Sequence, residues 1–248
     1  MHMSQIKGGR AFYGKAVGML MLDTTYPLIP GNVGNATTYD FPVRFKLLKG
    51  IPSDWWCDAE GPSSNRREKF IGFAKELEKE GVRAITTGCG FFAIYQKAVA
   101  EALNVPFFSS PLLLVPMVSR MIGKNKRVGI ISAGANRLKG SFLENAGIDE
   151  SIPIAVDGMD DKEEFSNTIV FEKKPMMDVA KVESEVIDVS RRLVKNHPDV
   201  GAIVFECSDL PPFSAAVQEA IRLPVFDFIT LVNMVYRTVV QKRYTGFM

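Results

Sequence analysis

Histidine is nearly missing from this 248-residue chain: only His2 and His197 occur. Met1-His2-Met3 reads as an expression scar ahead of a natural Met3, so a Ser-His-Asp, Cys-His or histidine-metal mechanism would rest on His197 alone. That residue sits in Asn196-His197-Pro198-Asp199, which reads as a helix-ending turn. Cysteine is scarce too. Cys57, Cys89 and Cys207 show no CxxC spacing, which argues against a zinc ribbon or a dithiol redox centre. No apolar run approaches the roughly 18 residues of a membrane helix, and residues 1–10 lack the apolar core of an export signal. The expected location is therefore cytoplasmic, with reduced thiols and no membrane partner. Charge of one sign is not in excess: 30 basic and 28 acidic residues leave +2, with no basic block, so nucleic acid is not an expected partner. Gly88-Cys89-Gly90 is followed by Ala93 where a dinucleotide fingerprint needs glycine, and no Walker A lysine motif occurs.

What is present is a globular composition, 46% hydrophobic and 23% charged, and an internal repeat. Ala84-Ile85-Thr86-Thr87-Gly88-Cys89-Gly90 matches Ala202-Ile203-Val204-Phe205-Glu206-Cys207-Ser208 at an offset of 118. The same offset places Val82 on Val200, Glu101 and Ala102 on Glu219 and Ala220, and Pro106 on Pro224. Lys15-Ala16-Val17-Gly18 and Lys126-Arg127-Val128-Gly129 extend the match backwards at 111, so a loop differs in length between the halves.

The apolar runs Ala16–Leu22 and Arg127–Ser132 read as buried parallel strands opening each half. Asp23–Pro42, with five prolines and glycines, reads as a long loop of the kind that carries function. Phe70, Phe73, Ala74 and Leu77 mark a helix over Asn65–Glu80, with Asn65 and Glu68 as its cap. Strands follow at Val82–Thr87 and Val105–Phe108, with a helix over Phe92–Leu103. In the second half, helices are expected at Ala133–Ala146, Met176–Asn196 and Phe213–Ile221, and strands at Ile154–Val156, Ala202–Glu206 and Val225–Phe228. This alternation predicts an α/β fold of two pseudo-symmetric, flavodoxin-like lobes with parallel sheets. Residues 1–113 with 229–248 form the expected first lobe, carrying Cys89; residues 114–228 form the second, carrying Cys207.

Both cysteines fall just after a predicted strand and before a predicted helix, where ligands bind open parallel sheets. There the amides and positive end of a helix favour thiolate over thiol. A lone cysteine after a strand is often only packing, but packing gives no reason for both to occupy matching strand ends at the ligand face. Cys57, in Trp55-Trp56-Cys57-Asp58, has no counterpart in the repeat and reads as structural.

Gly18-Met19-Leu20-Met21-Leu22-Asp23-Thr24, Thr87-Gly88-Cys89-Gly90 and Glu206-Cys207-Ser208-Asp209 resemble the aspartate/glutamate/hydantoin racemase superfamily, whose members need no pyridoxal phosphate. The resemblance covers essentially the whole chain. It implies one catalytic cysteine per lobe, Cys89 and Cys207, no cofactor, and a 1,1-proton transfer between two opposed thiols at the stereocentre of a carboxylate or cyclic amide. Stabilisation of the carbanion would fall to preorganised donors. The expected substrate-binding set is Asp23, Thr24, Thr87, Gly90, Phe91, Ser132, Ser208 and Asp209. Each hydroxyl has a plainer alternative as a turn residue, Asp209 as a helix cap, and Phe91 as a core ring.

Asp23 matches the family's aspartate after the first strand, whereas Asp209 stands where glutamate racemases carry histidine. A carboxylate there would raise the Cys207 pKa and disfavour an acidic side chain, which argues against strict glutamate specificity. The leading expectation is an amino-acid racemase of the aspartate/glutamate type. Hydantoin racemase, a decarboxylase or cis-trans isomerase of the same fold, and a hinged small-molecule binding protein are the alternatives. A second protomer is compatible with this reading and not required by it.

Overall fold

The computed structural model describes residues 8–51, 62–138 and 140–248; Cys57 lies outside them. Two four-stranded parallel sheets form its centre. The first contains β1 (Val17–Met21), β2 (Val43–Leu47), β3 (Ala84–Thr87) and β4 (Phe107–Phe108), in the order β2-β1-β3-β4. The second contains β5 (Arg127–Ser132), β6 (Ile154–Gly158), β7 (Val200–Phe205) and β8 (Val225–Phe226), in the order β6-β5-β7-β8. The orders are the same, so the sequence repeat is a repeat of topology. Val17 lies opposite Ala84 in one sheet and Val128 opposite Ala202 in the other. β1, β3 and β7 are buried along their whole length, which is why they read as unbroken apolar runs rather than alternating ones.

The helices are α1 (Ser64–Glu80), α2 (Gln96–Ala102), α3 (Val115–Ile122), α4 (Gly140–Asn145), the single turn α5 (Glu163–Phe165), α6 (Val179–Asn196), α7 (Ser214–Ile221) and α8 (Phe228–Val239). α1 buries Phe70, Ala74 and Leu77, as its periodicity requires. Its cap differs from expectation: the Ser63 side chain, not Asn65, accepts from the Arg66 amide, and Gly81 ends the helix at φ 91°. The helix expected from Phe92 opens instead as a 3-10 turn, Gly90–Tyr95, whose six residues are all buried. The segment expected as one helix over Ala133–Ala146 contains a 3-10 turn, Ala135–Arg137, and the short α4; Gly134 and Gly140 flank the break.

One apolar cluster runs from the first sheet into the second, joining Met19, Leu20, Phe92 and Leu112 to Val128, Ile130 and Val204. α8 adds Phe228, Leu231 and Val232 to it. A second cluster, with Phe165, Val186, Phe205 and Phe213, fills the outer side of the second sheet. The shared core fixes the carboxyl ends of β3 and β7 around a common space. Among the described residues, no helix is long and apolar enough to cross a membrane.

Candidate functional site

β3 ends at Thr87 and β7 at Phe205, and within two residues each chain delivers its cysteine to one cavity of about 110 Å³. Asp23, Thr24 and Tyr26, from the loop after β1, join Cys89, Gly90, Phe91, Arg137, Glu172, Glu206, Cys207, Ser208 and Asp209 in its lining. Gly90 is required here, because a Cβ would overlap the Glu206 carbonyl and carboxyl groups. The two halves therefore touch backbone to side chain directly beside the thiols.

Cys89 precedes the turn Gly90–Tyr95, and the amides of Phe91 and Phe92 point at its sulfur. This is the helix-start arrangement expected from sequence. Burial outweighs it and pushes the Cys89 thiol up, with a further contribution from Glu206. Cys207 donates to Asp209 Oδ2 at 3.6 Å and accepts from the Asp209 amide at 3.5 Å. Burial raises its pKa first, then the charges of Asp209 and Glu206, and Cys89 is close enough to add to the effect.

Asp209 is the centre of a network between the halves. Asn32 Nδ2 donates to Oδ1 at 2.6 Å and the Tyr26 hydroxyl donates to Oδ2 at 3.1 Å, both from the loop after β1. Ser208 adds a longer contact at 3.4 Å. Asp209 accordingly does not cap the helix that follows. Burial raises its carboxyl pKa, and these donors oppose the shift. Elsewhere in the same loop, Thr25 donates through its amide (2.9 Å) and hydroxyl (2.5 Å) to Glu172, a non-glycine residue held at φ 48°.

Of the residues expected from sequence, Asp23, Thr24, Cys89, Gly90, Phe91, Cys207, Ser208 and Asp209 line the cavity; Thr87 and Ser132 do not. Thr87 is fully buried and its hydroxyl is engaged with the Ser109 carbonyl (2.6 Å) and the Cys89 carbonyl (2.9 Å), so it braces the turn that carries Cys89. Ser132 is equally buried and donates to Glu206 Oε2 at 2.8 Å. Both face inward because the β-strand period turns them away from the strand-end opening.

Tyr26, Arg137, Glu172, Ile169 and Val170 also line the cavity, and sequence reading did not select them. Ile169 and Val170 come from a π-helical turn, Ser166–Val170, for which no hydrophobic period exists to be read. Glu206 was visible as a polar neighbour of Cys207, but its burial was not. Among the described residues, no group of three or more His, Cys, Asp or Glu side chains is placed to hold a metal ion.

No family model matches the chain. It is 31% identical over 228 residues to a dimethylsulfoniopropionate lyase from Durusdinium sp. clade D, covering 90% of this chain and 74% of the relative. It is 28% identical over 226 residues to dimethylsulfoniopropionate lyase 7 of Emiliania huxleyi (strain CCMP1516), covering 88% of this chain and 65% of that longer relative. Among solved structures it is similar to allantoin racemase from Klebsiella pneumoniae (TM-score 0.63, 16% identity, 91% of this chain and 88% of that one). Unliganded arylmalonate decarboxylase gives a TM-score of 0.59 at 18% identity, over 91% and 92% of the two chains. A glutamate racemase from Bacillus anthracis gives 0.59 at 12% identity, over 92% and 82%. The fold is that of the aspartate/glutamate racemase superfamily, as the sequence motifs led us to expect.

Proposed function

This chain belongs to the dimethylsulfoniopropionate lyase family, and from that membership we propose that it is a lyase, removing the proton α to a carboxylate and expelling a sulfide from the β-carbon. The observation that carries the reading is the Cys207–Asp209 contact inside a cavity lined by four carboxyl groups, Asp23, Glu172, Glu206 and Asp209, with Arg137 as the basic residue of the lining. A dimethylsulfonio group is a permanent cation. Entering this space, it supplies the positive charge that the two buried thiols lack, and so favours transfer of the Cys207 proton to Asp209. The Cys207 thiolate then takes the α-proton. The C–H electron pair forms the double bond, the Cβ–S bond breaks, and dimethyl sulfide and acrylate leave. One proton passes to solvent as the thiolate is restored. Arg137, in the cavity lining, carries the positive charge that attracts the carboxylate end.

Racemisation is the second reading, and one observation favours it: Cys89 reaches the same cavity from the other half. Two-base transfer needs a thiol on each face of the carbon, whereas elimination needs only one base.

A single experiment separates the two. Wild type, Cys89→Ser and Cys207→Ser are given dimethylsulfoniopropionate, and dimethyl sulfide is measured in the headspace. In parallel, D2O exchange at the stereocentre of D- and L-amino acids and 5-substituted hydantoins is followed by NMR. Elimination predicts sulfide release by the wild type that falls about 10³-fold in Cys207→Ser. Exchange at an amino-acid or hydantoin stereocentre, with no sulfide released, would replace the lyase with a racemase.

A further inference from the structure

Glu206 is fully buried, and its two carboxyl oxygens have opposite surroundings. Oε2 accepts from the Ser132 hydroxyl at 2.8 Å, and the Ala133 amide also points at the carboxyl group. Oε1 is a buried side-chain oxygen with no hydrogen-bond partner, and Glu206 lines the cavity that holds both cysteines. Gly90 of the other half packs directly against Oε1, where a Cβ would overlap that oxygen, so a C–H surface and no donor faces it from that side. A buried oxygen left unpaired is costly, and a half-satisfied carboxyl group beside two thiols calls for a missing partner.

We propose that Glu206 binds the substrate carboxylate, keeping its own proton on Oε1 and donating it as a hydrogen bond, so that it stabilises the charge that builds on that carboxylate as the α-proton leaves. The division of labour follows from the surroundings. Oε2, which accepts from the Ser132 hydroxyl, is the carbonyl-like acceptor. Oε1, with none, is the hydroxyl, and an incoming carboxylate oxygen completes it. No covalent bond to Glu206 forms and its proton is not transferred; the α-proton goes to the cysteine thiolate.

The electrostatics agree. Burial pushes the Glu206 carboxyl up to about 7, the charge of Asp209 adds to this, and Ser132 and Ala133 oppose it. The titratable and charged groups that share the cavity lining with it are Cys207 and Asp209 from its own loop, Cys89 from the loop after β3, Asp23 and Tyr26 from the loop after β1, and Arg137 and Glu172 from the second half. A neutral acid kept in an apolar site so that it can donate to a developing oxyanion is an established catalytic device.

This inference rests on carbanion formation next to a carboxylate, which elimination and racemisation share. It is tested first without turnover, using acrylate as the probe. For wild type, the dissociation constant measured by calorimetry should rise about tenfold per pH unit above 7, because ionised Glu206 repels the ligand. Glu206→Gln, which keeps a donor that cannot ionise, should bind acrylate with no such dependence between pH 6 and 8. Glu206→Ala should bind at least tenfold more weakly than wild type at pH 6. An unaltered pH dependence in the Gln variant, wild-type affinity in the Ala variant, or no saturable binding by the wild type would each overturn the proposal. If turnover is found, kcat in Glu206→Ala should fall about 10²-fold or more, as for loss of one oxyanion donor, while in Glu206→Gln the fall near pH 7 disappears from the pH profile. Acrylate binding with this signature in a protein that releases no dimethyl sulfide would remove the lyase reading and leave the role of Glu206 standing.

Discussion

In the sequence Asp209 stood two places after Cys207, where glutamate racemases carry histidine, equally suited to a helix cap or to the ligand face and expected to raise the Cys207 pKa. In the folded chain it accepts from Cys207, Tyr26 and Asn32 together, so one carboxylate ties the loop after β1 to the Cys207 thiol. Its charge, second to burial, raises the Cys207 pKa. Asp209→Asn removes that charge and one acceptor together. Iodoacetamide labelling of Cys207 at pH 8, followed by mass spectrometry, should therefore become several-fold faster, while turnover falls about 10²-fold with the loss of the base. Slower labelling would contradict the assigned electrostatics.

At the scale of elements, the loop after β1 connects the two halves over the cavity. Its composition marked it as functional, but its contacts are tertiary: Thr25 with Glu172, Asn32 and Tyr26 with Asp209, and Gly31 against Pro212. Gly31 sits at φ 96°, and a Cβ there would lie 2.8 Å from the Pro212 Cα, so the backbone has to move to accept any side chain. Gly31→Ala should cost about 1–3 kcal/mol in urea unfolding. Because the displaced loop also withdraws Asn32 from Asp209, kcat/KM should drop more than tenfold. Ser63→Ala, which removes only the cap of α1, should cost about 1 kcal/mol and leave turnover unchanged. Equal kinetic effects of the two changes would show that the loop has no special role.

For the whole molecule, the buried acids of the cavity couple folding to pH. The Glu206 carboxyl rises from its ordinary 4.5 to about 7, and Asp209 and both thiols are raised as well. A raised acid favours the folded state only while protonated. The contribution of Glu206 is thus complete below pH 4.5 and is lost as pH climbs through 7, amounting to about 3 kcal/mol. The ion-paired carboxylates Glu80, Asp161, Glu164 and Asp188 are held low by Arg44, Arg192, Lys174 and Lys162, and contribute in the opposite sense, losing their stabilisation in acid. Urea midpoints measured from pH 5 to 8.5 should be highest on the acid side of neutrality and decline through pH 7. A flat profile across pH 7 would mean that Glu206 is already ionised in the folded protein.

The sequence by itself determined the duplication, the parallel strands and the placement of Cys89 and Cys207 at matching strand ends, because each depends on short-range pattern: apolar runs of strand length, turn residues, and a repeat at fixed offset. It also led to the racemase-superfamily fold. The tertiary structure alone decided which polar residues meet. Thr87 and Ser132 turned inward with the strand period; Tyr26, Asn32 and Glu172 arrived from loops that carry no periodic signal. Glu206 gained its unpaired oxygen only when Gly90 of the other half was packed against it. Burial and cross-half contact set the protonation of these groups, and neither is a property of any local stretch of chain.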